Sequence, residues 1–291
     1  IAAIPNGTSR HQAYVQSSSS ANFLVQAATS SAGTVFGWYT TAGRYAHGKL
    51  QGTYETVQPK YGGPWGNSVY FKAGHAVLAS SGKYILPRIW YTFQYTDPVA
   101  GTGYSKAVSV LFCMEEALLN RAEAYVMKMQ EDPSALDSAL ADMNMYASNL
   151  FSSGFTPMTE ESIKKWATET YPNYSELYVG KTSETSPQTL NPKKKLFAPP
   201  YNALEKGGTQ ESMLQALLFM RRYQFLHEGM RWFDTRRFGI TVYRYTLDED
   251  DETVLQITDQ ISDEDGTPDP RRALQLPSDV IAAGLTPNPR N

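Results

Sequence analysis

The spacing of apolar and polar positions divides this chain into a first third with little helical periodicity and a remainder in which several helices are legible. From Ser109 to about Met129, Leu111, Met114, Leu118, Ala122, Tyr125 and Met129 recur at steps of three and four, which predicts a helix. Asp132-Pro133-Ser134 stops it and starts another, with Asp132 or Ser134 as cap, and Leu136, Leu140, Met143 and Ala147 line one face to about Asn149. Two helices joined by a tight turn make an antiparallel pair of tetratricopeptide size, with Ala122, Ala124 and Ala139 suited to close packing. Thr159, followed by Glu160, Glu161 and Ser162, caps a short helix running to Glu169.

The densest block runs from Glu211 to Gly239. Leu214, Leu217, Leu218 and Phe225 form the apolar stripe of an amphipathic helix, and Arg221 sits on that same stripe. A guanidinium facing a core is costly unless it is paired and hydrogen-bonded. Arg221 therefore predicts a carboxylate from another helix. Glu116 and Glu123, two turns apart on the first helix, are the expected partners of Arg221 or Arg222, with Glu228 a further member and Gly229 ending the helix. Arg231, Asp234, Arg236 and Arg237 follow among Trp232, Phe233 and Phe238. Such a block reads as a structural network that ties helices together, or as an anion site.

In residues 1–105 the punctuation is that of turns, with Gly62-Gly63-Pro64 the densest example, and the strand candidates are Asn22–Ala27, Ser68–Lys72 and Ile89–Tyr95. Large rings stand beside these glycines. Trp38, Tyr39, Tyr45, Tyr61 and Trp65, with the amide of Asn67, are the candidate ligand platform, because a flat aromatic face packs on the C–H face of a sugar while polar neighbours reach its hydroxyls. The competing reading is that these rings plug the underside of their own loops. Tyr171–Tyr201 is read as a loop, where Lys193-Lys194-Lys195 is a solvated basic face, and Tyr243–Asp265 holds two acidic clusters, Asp248–Glu252 and Asp263–Asp265. Position twelve of a calcium loop starting at Asp263 would be Leu274 rather than Glu, which argues against one.

Composition narrows the classes. The chain has 291 residues, 41% of them apolar, enough for a sizeable core. A net charge of −3 carries no footprint for nucleic acid or an anionic membrane surface. Cys113 is the single cysteine, so an internal disulfide and a cysteine-based zinc site are excluded. His11, His47, His75 and His227 lack metal-ligand spacing, and no nucleophile elbow, phosphate loop or dinucleotide motif is present. Glu116 and Glu123 make a poor glycosidase pair, being ~10.5 Å apart along one helix. The reading is of a protein that is not an enzyme and requires neither metal nor cofactor. Its 12% aromatic content, with 19 Tyr and 5 Trp, leans toward a binding surface.

Arg221-Arg222, Phe225-Leu226, Glu228-Gly229, Arg231-Trp-Phe-Asp234 and Arg236-Arg237-Phe-Gly239 together resemble the signature of the SusD/RagB family, surface lipoproteins of Bacteroidetes. Glu116 through Ala122-Glu123-Ala124-Tyr125 is similar to that family's last tetratricopeptide-like helix, and Leu276-Pro277, Gly284-Leu285 and Asn288-Pro289-Arg290 to its C-terminal tail. The resemblance covers about residues 84–291. It departs from the family at Met220 and Gln224, where Glu is usual, and at Cys113, where Arg is expected. It implies a mainly α fold: a tetratricopeptide-like pair over residues 106–150, further helices, loops and a tail over 151–291, and a loop-rich ligand side over 1–105, all in one domain. It also implies that Arg221, Arg222, Glu228, Arg231, Asp234, Glu116 and Glu123 form a structural network. The implied function is non-catalytic glycan capture at the outer membrane and delivery to a SusC-like TonB-dependent transporter, with a RagB-like role in peptide import as the alternative. A signal peptide, a lipidated cysteine as the only membrane contact and most of the tetratricopeptide helices are expected upstream.

Overall fold

A strand occupies the beginning of the first expected helix. In the computed structural model of the chain, which describes residues 22–32, 50–55, 62–66, 70–71, 77–78, 84–85, 90–177, 179, 189–226, 228–250 and 253–290, β6 runs over Thr102–Cys113 and turns directly into the helix α1, Met114–Lys128. The run Val108-Ser-Val-Leu-Phe112 is apolar enough to satisfy a helical template, but its β-branched and aromatic residues fit a strand within a sheet. β6 is the centre of a three-stranded antiparallel sheet, with β1 (Asn22–Thr29) and β5 (Trp90–Asp97) on its two edges. Ala28 pairs with Ala107 on one side, and Tyr91 with Ala107 on the other. The β5–β6 turn is made by Asp97, whose Oδ1 accepts from the backbone N–H of Val99 (2.9 Å) and Ala100 (3.0 Å), and by Gly101 at φ 67°.

α1 and α2 (Ala135–Leu150) form the antiparallel helical pair read from the sequence. Asp132 organises their turn, accepting from the N–H (3.1 Å) and hydroxyl (2.6 Å) of Ser134 while pairing with Lys128 at 3.0 Å. Behind the pair, the short helix α3 (Glu160–Lys165) opens on a reciprocal cap between Thr159 and Ser162 and continues as a π-helical turn over Trp166–Thr170. Helix α4, Thr209–Gln224, packs against α1 and α3. It was expected to be amphipathic, yet all of Glu211–Arg221 is buried, together with Tyr223 and Gln224. Neighbours cover it on nearly every side, and Gln215 bonds internally, accepting from the backbone N–H of Lys194 and donating to its carbonyl (3.0 and 2.6 Å), whereas the buried Ser212 hydroxyl has no partner among the described residues.

Gly229, at φ 81°, starts the next helix rather than simply ending α4: it is the N-cap residue of α5, Met230–Phe238. The region singled out for its two acidic clusters folds as a hairpin, β8 (Val242–Leu247) against β9 (Val254–Ile261). Tyr243, Tyr245 and Leu247 alternate with exposed residues along β8 and pack on a small second core of Leu50, Leu177, Leu190, Val254 and Ile257. Past β8, Asp250 of the first acidic cluster accepts from the N–H (2.8 Å) and hydroxyl (2.7 Å) of Thr253. Also described are three further two-residue strands, β2 (Tyr70–Phe71), β3 (Val77–Leu78) and β4 (Tyr84–Ile85), the short β7 (Phe151–Ser153), a last helix α6 (Ser278–Ala282) and 3-10 turns at Tyr201–Ala203 and Pro270–Arg272. The expectation of a mainly α fold is therefore corrected to a mixed α and β architecture. The main core lies between α1, α2, α3 and α4. No helix among the described residues is long and apolar enough to cross a membrane.

Candidate functional site

The Arg-rich block does hold helices together, with different partners from those expected. Arg221, 4% exposed, pairs with Asp234 of α5 at 3.0 Å and donates to the Asn120 side-chain carbonyl on α1 at 2.6 Å. Glu123 is bonded by Arg237 (2.7 Å) and by the Tyr201 hydroxyl (3.5 Å), not by Arg221 or Arg222. Glu116 is half-buried near Arg221. Its carboxyl is raised because burial outweighs the favourable Arg221 charge, with Asp234 adding to the rise. Glu228 lies at the α4–α5 turn, close enough to Cys113 to help push that thiol up to about 12, behind burial and Glu115. The principle that a buried Arg needs a carboxylate holds; the carboxylate of Arg221 comes from thirteen residues downstream, across a turn that helical periodicity does not describe.

Arg222 and Arg231 are directed elsewhere, to a cavity of about 420 Å³. Its walls are the π-helical turn Gln51–Glu55, the loop segments around Leu177 and Lys194, the ends of α4 and α5, and the β8–β9 hairpin. Glu55, 6% exposed, is bonded by both Arg222 and Lys194. Burial alone would raise its carboxyl; the charges of Arg222 and Lys194 overcome this and lower it from 4.5 to about 2. Lys194 is pushed down to about 8 by burial, with Glu55 opposing. Its backbone is fixed to α4 by the two Gln215 bonds, and its ammonium also donates to the Asn191 carbonyl at 2.6 Å. The basic run expected to be solvated is thus buried in two of its three members: Lys193 caps the carbonyls of Ala167 (2.7 Å) and Pro172 (3.2 Å), Lys194 enters the cavity wall, and Lys195 pairs with Glu176 at 2.6 Å.

Arg231 departs from the expected network. It lines the cavity, and its Nη1 is buried with no acceptor among the described residues. Arg272 makes the contrast plain, since its buried guanidinium is bonded by Asp263 (2.7 Å) and by the carbonyls of Thr235 (3.1 Å) and Ile240 (2.9 Å). That bond also accounts for Asp263, considered above as a calcium ligand; among the described residues no acidic or histidine cluster could hold a metal. Sequence reasoning missed Glu55 and Lys194, and the local signal for them was weak: one carboxylate in a loop, and a lysine run of the kind that is usually exposed.

The expected aromatic platform loses its described member. Trp65 is 4% exposed and packs at 4.8 Å from Phe151 and 5.3 Å from Phe219. Gly63 is where the ring folds back, since a Cβ there would meet Trp65 at 2.8 Å. The ring plugs the underside of its own loop, and offers no face to a ligand. Tyr61, Asn67, Trp38, Tyr39 and Tyr45 lie outside the described residues. Comparison with known proteins returned no matching family model, curated protein or solved structure.

Proposed function

We propose that this chain is the binding portion of a non-catalytic capture protein of the SusD/RagB kind, which holds a glycan at the cell surface and passes it to a TonB-dependent transporter in the outer membrane, with its lipid anchor upstream. The observation that carries the reading is the cavity of about 420 Å³ beside the family-like Arg block, a size suited to a small ligand or one end of a longer one, with amides, hydroxyls and charges converging on it. The motif residues that resemble the family support it by forming the rigid wall: α4 and α5 are locked by the Arg221–Asp234 pair, so the side chains they present to the cavity are held in place. Tyr243 and Tyr245 of β8 line the same wall.

The test is calorimetry of the chain against an oligosaccharide panel and, in parallel, a pool of short peptides. Glycan capture predicts saturable binding of at least one oligosaccharide and none of the peptides. Retention of peptides alone would transfer the reading to the peptide importer, and hydrolysis of a chromogenic glycoside abolished by a single carboxylate substitution would replace it with an enzyme.

A further inference from the structure

We propose that the cavity is an acidic-sugar site, in which Arg231, flanked by Arg222 and Lys194, takes the carboxylate of a uronic acid. The proposal rests on the reading of this cavity as the ligand site and adds the charge class of the ligand. Three cations, Lys194, Arg222 and Arg231, line the cavity with one buried carboxylate, Glu55, which already serves two of them; Asp234, which also acts on Arg231, is committed to Arg221. At the rim Lys195 and Glu176 pair with each other, and Glu264 is exposed, so neither relieves the excess within. The other buried arginines near α5 show how this chain treats a guanidinium that has only a structural task. Arg221 has Asp234 and Asn120, and Arg272 has Asp263 and two carbonyls. Arg231 is left with a buried Nη1 donor that has no acceptor among the described residues.

A buried charged donor without an acceptor costs several times the worth of an ordinary hydrogen bond, and calls for an explanation in each case. A planar fork of N–H groups fits a carboxylate by two parallel bonds, and a preformed site gives up little entropy when the anion arrives. Lys194 is preformed by Gln215, and Arg222 by Glu55. A neutral sugar would leave the positive excess uncompensated; a uronic acid supplies the missing charge, in a cavity whose lining also includes Gln51, Gln260 and Thr241.

The experiment is calorimetry at constant ionic strength with digalacturonic acid, a neutral disaccharide and acetate, on the wild-type chain, Arg231→Gln and Val242→Trp. Val242 is 37% exposed at the start of β8 and lines the cavity, so a Trp there obstructs it without removing core. The acid disaccharide should bind at least tenfold more tightly than the neutral one and than acetate. Both variants should lose at least tenfold, so the result stands even if Arg231→Gln fails to fold. Affinity should also fall several-fold between pH 7 and pH 9, as Lys194, facing Glu55, Arg222 and Arg231, loses its proton near 8. Equal binding of acid and neutral sugars, or full affinity in either variant, overturns the acidic-sugar assignment and leaves glycan capture standing. Acetate binding as tight as the disaccharide overturns the sugar part, and no binding of any saccharide in the wild type overturns both readings.

Discussion

Glu55 carries more of the electrostatic design than any motif residue. Its carboxyl lies at about 2 in the folded chain against 4.5 when solvated, a depressed value. The sign follows: its ion pairs contribute their full stability above pH 4.5, where the unfolded chain is also ionised, and that contribution is lost as pH falls from 4.5 through 2. A shift of this size corresponds to about 3 kcal/mol. Glu55→Gln should therefore be less stable than wild type by about that amount at pH 7, because Lys194 and Arg222 lose their shared acceptor. Urea titrations of both proteins at pH 7 and pH 2.5 check this, and a stability gap that fails to narrow at the lower pH counts against the pairing. What was legible at this scale was the demand of Arg221 for a carboxylate. Which carboxylate answers is a three-dimensional fact: Asp234 instead of Glu116 for Arg221, and for Arg222 a residue 167 positions away.

Among the elements, those with long regular periodicity were legible, and those built by pairing were harder. The α1–α2 pair, the capped α3 and most of α4 follow from apolar spacing and capping residues. β1 and β5 follow from β-branched and aromatic content. β6 was hidden, since an apolar run fits either template until its neighbours on both sides are known. The β8–β9 hairpin was hidden too: Val242-Tyr-Arg-Tyr-Thr-Leu247 alternates as a strand should, but the acidic residues after it drew the reading to charge. The junction between α5 and this hairpin is tight. Gly239 closes α5 at φ 66°, the Phe238 carbonyl accepts from the N–H of Phe197 (3.1 Å) and Ala198 (3.2 Å), and a Cβ on Gly239 would lie 2.6 Å from the Ala198 nitrogen. Gly229 has a similar φ of 81° with open space around it. Gly229→Ala should thus cost only the left-handed backbone term, about 1 kcal/mol. Gly239→Ala should cost at least twice that, because the backbone of the loop that carries Lys193–Lys195 must also move. Thermal unfolding of the two variants side by side makes the comparison, and equal losses would show that the close approach to Ala198 is easily relieved.

At the scale of the molecule, the loop-rich beginning is joined to the helices by core packing as well as by charge. Glu55 is one connection. Trp65 is another: it fills the space between Phe151 and Phe219, and the carbonyl of nearby Gly62 accepts from the Trp166 indole at 3.4 Å. A tryptophan between glycines looks exposed in a sequence because nothing nearby in the chain can cover it; here it is covered by residues 86 and 154 positions away, which no local pattern records. This reverses what a substitution should do. Trp65→Ala should act as a large-to-small core change, lowering the unfolding free energy by about 3–5 kcal/mol. Ligand affinity measured below the melting temperature should stay within about twofold of wild type, since the ring does not line the cavity. Paired calorimetry and denaturant titration of the one variant separate the roles: a stable protein with lost affinity would return Trp65 to the ligand, whereas lost stability with retained affinity leaves it as the pin between the first third of the chain and the frame that positions Arg231.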